Sequence, residues 1–235
     1  MVSPAGDDVV SFMRKRVASD RVSRVGTPEP GQAYNAGPPT EPRQAATVIL
    51  LRGDAEQLEL LLVRRTPKAR FMGGVWVFPG GAVDAQEGDG DQAHRLAAIR
   101  ELSEEAGISI ADPAALVKFS RWITPAEVQI RFDTHFFLAV LPDGQEPRID
   151  GEECVDLGWF TPAGALDAYR AGEIELVFPT IKHLEQLSEF SSVAALMAHA
   201  RERDVQPVQP RVLLPVPGRC EGEVARIVLP GEPGY

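Results

Sequence analysis

Apolar positions between residues 45 and 160 gather mostly in short unbroken runs, and those between 180 and 203 recur at helical spacing. Ala46–Leu51 is an apolar, β-branched run closed by Arg52-Gly53-Asp54, and Leu58–Val63 is a second such run. Short apolar runs bounded by turn residues predict buried strands, and these two predict a hairpin. Val75–Phe78 predicts a short strand stopped by Pro79-Gly80-Gly81, and Leu116–Ile123, Arg131–Leu141 and Val155–Phe160 predict three more. Between them, Leu96, Ala98, Ile99, Leu102 and Ala106 fall on one side of a helix that Gly107 ends in the position of a left-handed cap. Thr161 and Pro162 are a cap and a first helical position. Strands interleaved with two helices predict an α+β sandwich over residues 45–172.

The flanks read differently. Asp7–Ala18 predicts a short amphipathic helix with Asp7 as its cap, and Gly26–Arg43 is a Pro- and Gly-rich linker, so residues 1–44 form an N-terminal segment. Residues 173–235 predict a C-terminal extension packed on the core. Its helices are Thr180–Leu187 and Ser192–Arg203, with Ile181, Leu184, Leu187, Val193, Leu196 and Met197 at helical spacing. The tail carries two aliphatic runs, Val212–Leu214 and Ala225–Leu229, suited to pairing as edge strands.

The helix ending at Gly107 carries the candidate chemistry. Glu101, Glu104 and Glu105 fall within an arc of about 100° opposite the apolar face. Three crowded carboxylates repel one another unless solvent screens them or a hard divalent cation sits between them. This stretch, from Gly81 and Glu87 to Arg100-Glu101-Leu102, Glu104-Glu105 and Gly107-Ile108, resembles the Nudix box, G-x5-E-x7-R-E-U-x-E-E-x-G-U with U aliphatic. One departure stands out: twelve residues, not seven, separate Glu87 from Arg100. The five extra ones belong to the polar run Gly88–Gln92, which predicts a longer loop before the helix.

The resemblance implies a Nudix α/β/α sandwich with a mixed sheet, plus the helical C-terminal extension. It implies metal-dependent hydrolysis of a diphosphate, with Glu101, Glu104 and Glu105 and a carbonyl at Gly81 as ligands of Mg2+ or Mn2+. Arg100 positions the glutamates. Glu153, next to Glu152 in a downstream acidic loop, is the candidate general base, and Glu127 is the alternative. Leu61–Gly81 resembles the signature of coenzyme A pyrophosphatases, L-L-T-x-R-S/A-x3-R-x3-G-x3-F-P-G-G, matching at Arg65, Arg70, Gly74 and Phe78 to Gly81 and departing at Val63 and Thr66. It implies that Arg65, Arg70, Gly80 and Gly81 bind substrate phosphate. Trp122–Pro125, Arg131–Phe137, Phe178–Thr180 and the final Leu229–Tyr235 look like the longer acyl-coenzyme A diphosphatase branch, whose products are 3′,5′-ADP and (acyl-)phosphopantetheine. Two other readings stay open: a Nudix hydrolase for ADP-ribose, NADH or a dinucleoside polyphosphate, and a non-catalytic nucleotide-binding module.

Composition narrows partners. The formal net charge of −10 opposes nucleic-acid binding, and metal and local arginines must supply any positive field for a diphosphate. Cys154 and Cys220 make a disulfide framework an unlikely plan, and with no membrane-spanning run the expectation is a cytoplasmic enzyme. His94, His183 and His199 lack metal-ligand spacing, and His135 belongs on a strand with a structural role. A homodimer is expected from the superfamily.

Overall fold

A computed structural model describes residues 32–35, 37–55, 57–213 and 226–235. The strand at its centre is β1 (Arg43–Arg52), the run that is most continuously apolar. It is buried on both faces, which is why it does not alternate. Ala46, Val48 and Leu50 point to one hydrophobic cluster, Ile49 and Leu51 to another. The expected hairpin forms: β2 (Glu59–Arg65) pairs antiparallel with β1 through Leu51–Leu60 and Arg52–Glu59.

Around β1 the sheet is mixed. β3 (Trp76–Val77) lies beside β2, while β4 (Gly80–Ala82) returns against β1 with Gly81 opposite Ala46. β6 (Phe132–Val140) runs parallel to β1, and β5 (Val117–Ile123) is antiparallel to β6. β7 (Cys154–Phe160) pairs with β2. A short β8 (Pro207–Val208), absent from the sequence pattern, runs parallel to β5 at the edge.

Helix α1 (Gly90–Ala106) covers one face with Ala97, Ala98, Leu102 and Ala106. The other face is covered by α2 (Pro162–Ala171), α3 (Phe178–Leu187) and α4 (Val193–Glu202). Thr161 and Ser192 cap α2 and α4 through their hydroxyls, and Gly107 and Gly172 end α1 and α2 in the left-handed conformation. The result is an α+β sandwich around a mixed sheet, with the C-terminal helices forming the second helical layer. Among the described residues, no helix is long and apolar enough to cross a membrane.

Three expectations are corrected. The polar run Gly88–Gln92 is not all loop: α1 begins at Gly90, so three of its residues lengthen the helix. Leu96 is exposed and Glu105 is buried, so the helix faces are rotated from the simple apolar–acidic division. β1 starts at Arg43, inside the expected linker, and residues before it are tied down, with Asn35 and Gln129 bonding across to Glu127 and Ala33. The two tail strands pair as expected, as β9 (Arg211–Leu213) and β10 (Arg226–Val228), in a two-stranded sheet of their own. The expected helix Asp7–Ala18 lies outside the described residues.

Candidate active site

The site is built where β4 meets α1. A methyl group at Gly80 would press on the Ala46 carbonyl and on Thr47, and one at Gly81 would collide with the Glu101 carboxylate. At Gly80 the obstacle includes the β1 backbone, so glycine is required there, whereas at Gly81 it is the end of the Glu101 side chain, which a methyl group would displace. The contact sets the Gly80–Gly81 backbone directly against the glutamates of α1.

Arg100 organises the exposed half of the cluster. Its guanidinium donates to Glu101 at 2.8 Å, Glu104 at 3.0 Å, Glu87 at 3.0 Å and the Ala82 carbonyl at 2.9 Å. These bonds to charged groups raise its pKa further above the ordinary arginine range, against the opposing effect of burial. Glu87 also accepts from the Asp84 backbone N–H at 2.7 Å, closing a capping box on the short 3-10 turn Ala85–Glu87. The insertion therefore loops out between Glu87 and Arg100 without separating them.

Glu105 forms the buried half. One oxygen accepts the Gly80 N–H at 3.0 Å and the other accepts from Arg65 at 3.4 Å. Burial pushes its carboxyl up to about 7; the Gly80 N–H and Arg65 oppose this, and the charges of Glu101 and Glu153 add to it. Burial also raises Glu101, with Arg100 pulling the other way and Glu104 and Glu153 pushing up.

This donor set fits a divalent cation. Its oxygens are hard carboxylates, the Glu101 and Glu105 groups are held partly out of water, and Arg100 and Arg65 offset only part of the cost of burying them, since both stay raised. Glu104 is the solvent-facing member, its side chain 60% exposed. In the arrangement described, Arg100 and Arg65 hold the three glutamates, and among the described residues no three acidic, His or Cys side chains form a ready metal cluster.

Glu153 stands exposed on the loop before β7. Asp150 shapes that loop by accepting the backbone N–H groups of Glu153 at 2.8 Å and Cys154 at 2.9 Å. Glu152 is exposed beside it. Glu127 is elsewhere: its carboxylate accepts the Val212 N–H at 3.2 Å, which anchors the tail hairpin. Arg70 is exposed on the β2–β3 loop with no side-chain partner among the described residues, whereas Arg65 is at the cluster. Cys154 is buried, and burial pushes its thiol up to about 12, so it is inert at neutral pH.

Beside Gly80 and Gly81 opens an apolar cavity of about 420 Å³. Its walls include Trp122, Phe132, Phe136, Phe178 and Val212, with Arg65 at the glutamate end. The volume is that of a site for a small organic group. Behind this wall, His183 is fully buried, its Nε2 2.6 Å from the Ser120 hydroxyl. Burial pushes it down to about 3, so it is a neutral part of the core.

The NUDIX domain model matches residues 41–178, more than half of the chain. The chain belongs to the Nudix family. The crystal structure of a NUDIX hydrolase from Alicyclobacillus acidocaldarius shares the fold, with a TM-score of 0.61, 28% identity, and coverage of 68% of this chain and 96% of that one. A nudix protein of Caenorhabditis elegans is 30% identical over 63% of this chain, which spans 61% of that protein. An acyl-coenzyme A diphosphatase of Homo sapiens is 23% identical, covering 84% of this chain and 81% of its own length. As a Nudix hydrolase, this chain has the box residues Arg100, Glu101, Glu104 and Glu105 gathered at the Gly80–Gly81 turn. Sequence reasoning missed the contact of Glu87 with Arg100, because spacing alone does not show a loop folding back.

Proposed function

We propose that this Nudix hydrolase cleaves the diphosphate of coenzyme A or an acyl-coenzyme A, releasing 3′,5′-ADP and (acyl-)phosphopantetheine. The observation that carries the reading is the apolar cavity beside Gly80–Gly81. The segments that resemble the acyl-coenzyme A branch, Trp122–Pro125, Arg131–Phe137 through Phe132, Thr134 and Phe136, and Phe178–Thr180, supply much of its wall. An uncharged arm attached to a diphosphate suits such a cavity. Relatives named acyl-coenzyme A diphosphatase in Homo sapiens and Xenopus laevis support the same class.

Glu101, Glu104, Glu105 and the Gly81 carbonyl would hold Mg2+ or Mn2+, which supplies Lewis acidity toward the diphosphate oxygens and a more acidic bound water. Arg100 fixes Glu101 and Glu104 in place by its bonds to both. Arg65 faces the cavity from the glutamate end and donates to a phosphate oxygen, with Arg70 on the adjoining loop as a second donor. Gly80 and Gly81 let the diphosphate approach the backbone. Glu153 takes the proton of the attacking water. The enzyme works on a small molecule in the cytoplasm, as a homodimer.

The test is a metal-dependent hydrolysis screen read by mass spectrometry, with coenzyme A, an acyl-coenzyme A, ADP-ribose, NADH and a dinucleoside polyphosphate side by side. The reading expects 3′,5′-ADP from the coenzyme A substrates and little turnover of the rest. AMP from ADP-ribose or NADH alone would overturn the substrate assignment and keep the hydrolase.

A further inference from the structure

The apolar cavity has a polar neighbour on the other face of the sheet. This second cavity, about 810 Å³, is lined by the insertion loop from Asp84 to Asp91 and by Lys118, Arg121, His94 and His135. The two imidazoles stack at 3.9 Å between centroids. Burial first, then the charges of His94 and Arg121, push His135 down to about 4, so that ring is neutral at physiological pH. Arg43 and Ala82 are the residues that line both cavities. They sit side by side: Ala82 is opposite Ala45, two residues along β1 from Arg43.

Among the described residues, four Lys or Arg side chains line the two cavities, and three of them have an acidic partner. Arg65 pairs with Glu105 at 3.4 Å, Lys118 with Asp91 at 2.8 Å and Arg121 with Asp133 at 2.6 Å. Arg43 is exposed, and its guanidinium has no hydrogen bond or ion pair to any described residue. Its backbone is nevertheless fixed, by pairing with Phe132 and by the bond of its N–H to the Arg131 carbonyl at 2.9 Å. An arginine with a fixed backbone and an unpaired guanidinium, in a chain of net charge −10, is a ready hydrogen-bond donor to a phosphate oxygen.

Its place relative to the cleavage site decides which phosphate. Arg65 already serves the Gly80 end of the turn. Arg43 lies past Ala82, toward the polar cavity, where the diphosphate held at Gly80–Gly81 would continue into its nucleoside. We propose that Arg43 binds a phosphomonoester on the nucleoside end of the substrate and makes the enzyme prefer a 3′-phosphorylated nucleotide. The apolar cavity then takes the uncharged arm and the polar cavity takes the nucleoside. This assignment rests on the coenzyme A reading above.

The test compares coenzyme A with 3′-dephospho-coenzyme A, which keeps the diphosphate and both organic ends. kcat and KM are measured for both substrates with wild type, Arg43→Ala and Arg43→Lys, after circular dichroism has shown that each variant is folded. Wild type is expected to favour coenzyme A by at least about tenfold in kcat/KM, the scale of one charge-assisted hydrogen bond. Arg43→Ala brings that ratio close to one, through KM for coenzyme A, and Arg43→Lys keeps part of it. A wild type without the preference, or an Arg43→Ala ratio equal to that of wild type, would overturn the proposal while leaving the coenzyme A reading intact. Turnover of neither compound, with cleavage of ADP-ribose, would overturn the coenzyme A reading and this assignment with it.

Discussion

At the residue scale, Arg100 on one side and the Gly80 N–H with Arg65 on the other keep four carboxylates together. Arg100 binds Glu87, Glu101 and Glu104, while Glu105 relies on the Gly80 N–H and a long contact to Arg65. Glu105 is thus the group that a cation would relieve most. Without metal it keeps its proton up to about pH 7 in the folded protein, whereas an ordinary glutamate releases it near 4.5. The folded state then holds more protons between those values, so the Glu105 contribution to stability falls as pH rises through that window. Metal-free protein should lose melting temperature from pH 5 to pH 7.5 more steeply than Glu105→Gln. Identical pH dependence in the two would show that Glu105 is not protonated when folded. The glutamates and Arg100 were legible in the sequence because one helix carries them all. The burial of Glu105 was not, because it depends on how β4 lies against α1.

At the scale of the element, the turn Gly80–Gly81 and the lengthened α1 set the geometry. Gly81→Ala meets the free end of the Glu101 side chain, which can move aside. It is expected to cut activity by about tenfold or more through misplacement of that carboxylate, with the melting temperature changed by only a few degrees. Gly80→Ala meets backbone as well and should lose about 1–3 kcal/mol of stability by overpacking, read by urea denaturation. The loops carry a second contrast. Glu153→Gln should lower kcat by about 100-fold if Glu153 is the base. Glu127→Gln should stay within about twofold, since an amide oxygen still accepts the Val212 N–H. The strands and helices were legible from apolar runs and caps, the edge strand β8 was not, and the insertion was half-read: its polar residues look like loop, yet Gly90–Gln92 joins the helix. Tertiary packing of Ala93 and Ala97 on the sheet extends that helix past what its own polar start favours.

At the scale of the whole molecule, both faces of β1 are used. One carries α1 and the polar cavity, the other carries the C-terminal helices and the apolar cavity. The tail hairpin adds Val212 and Ile227 to the apolar wall, and Gln32 and Tyr34 approach it from the N-terminal side. Segments that read as linker and tail therefore complete a cavity, which no local pattern reveals because its walls come from residues nearly two hundred positions apart. Light scattering should give the mass of a dimer, and a monomer would contradict that assignment. We propose that the α1 glutamates power metal-dependent cleavage of a coenzyme A diphosphate. The most direct test follows release of 3′,5′-ADP from coenzyme A by wild type and Glu105→Gln, each with Mg2+ and with a chelator. Wild type should release it only with Mg2+, and the folded variant should lose about 100-fold or more in rate. Release that ignores the chelator, or equal rates in the two proteins, would contradict it.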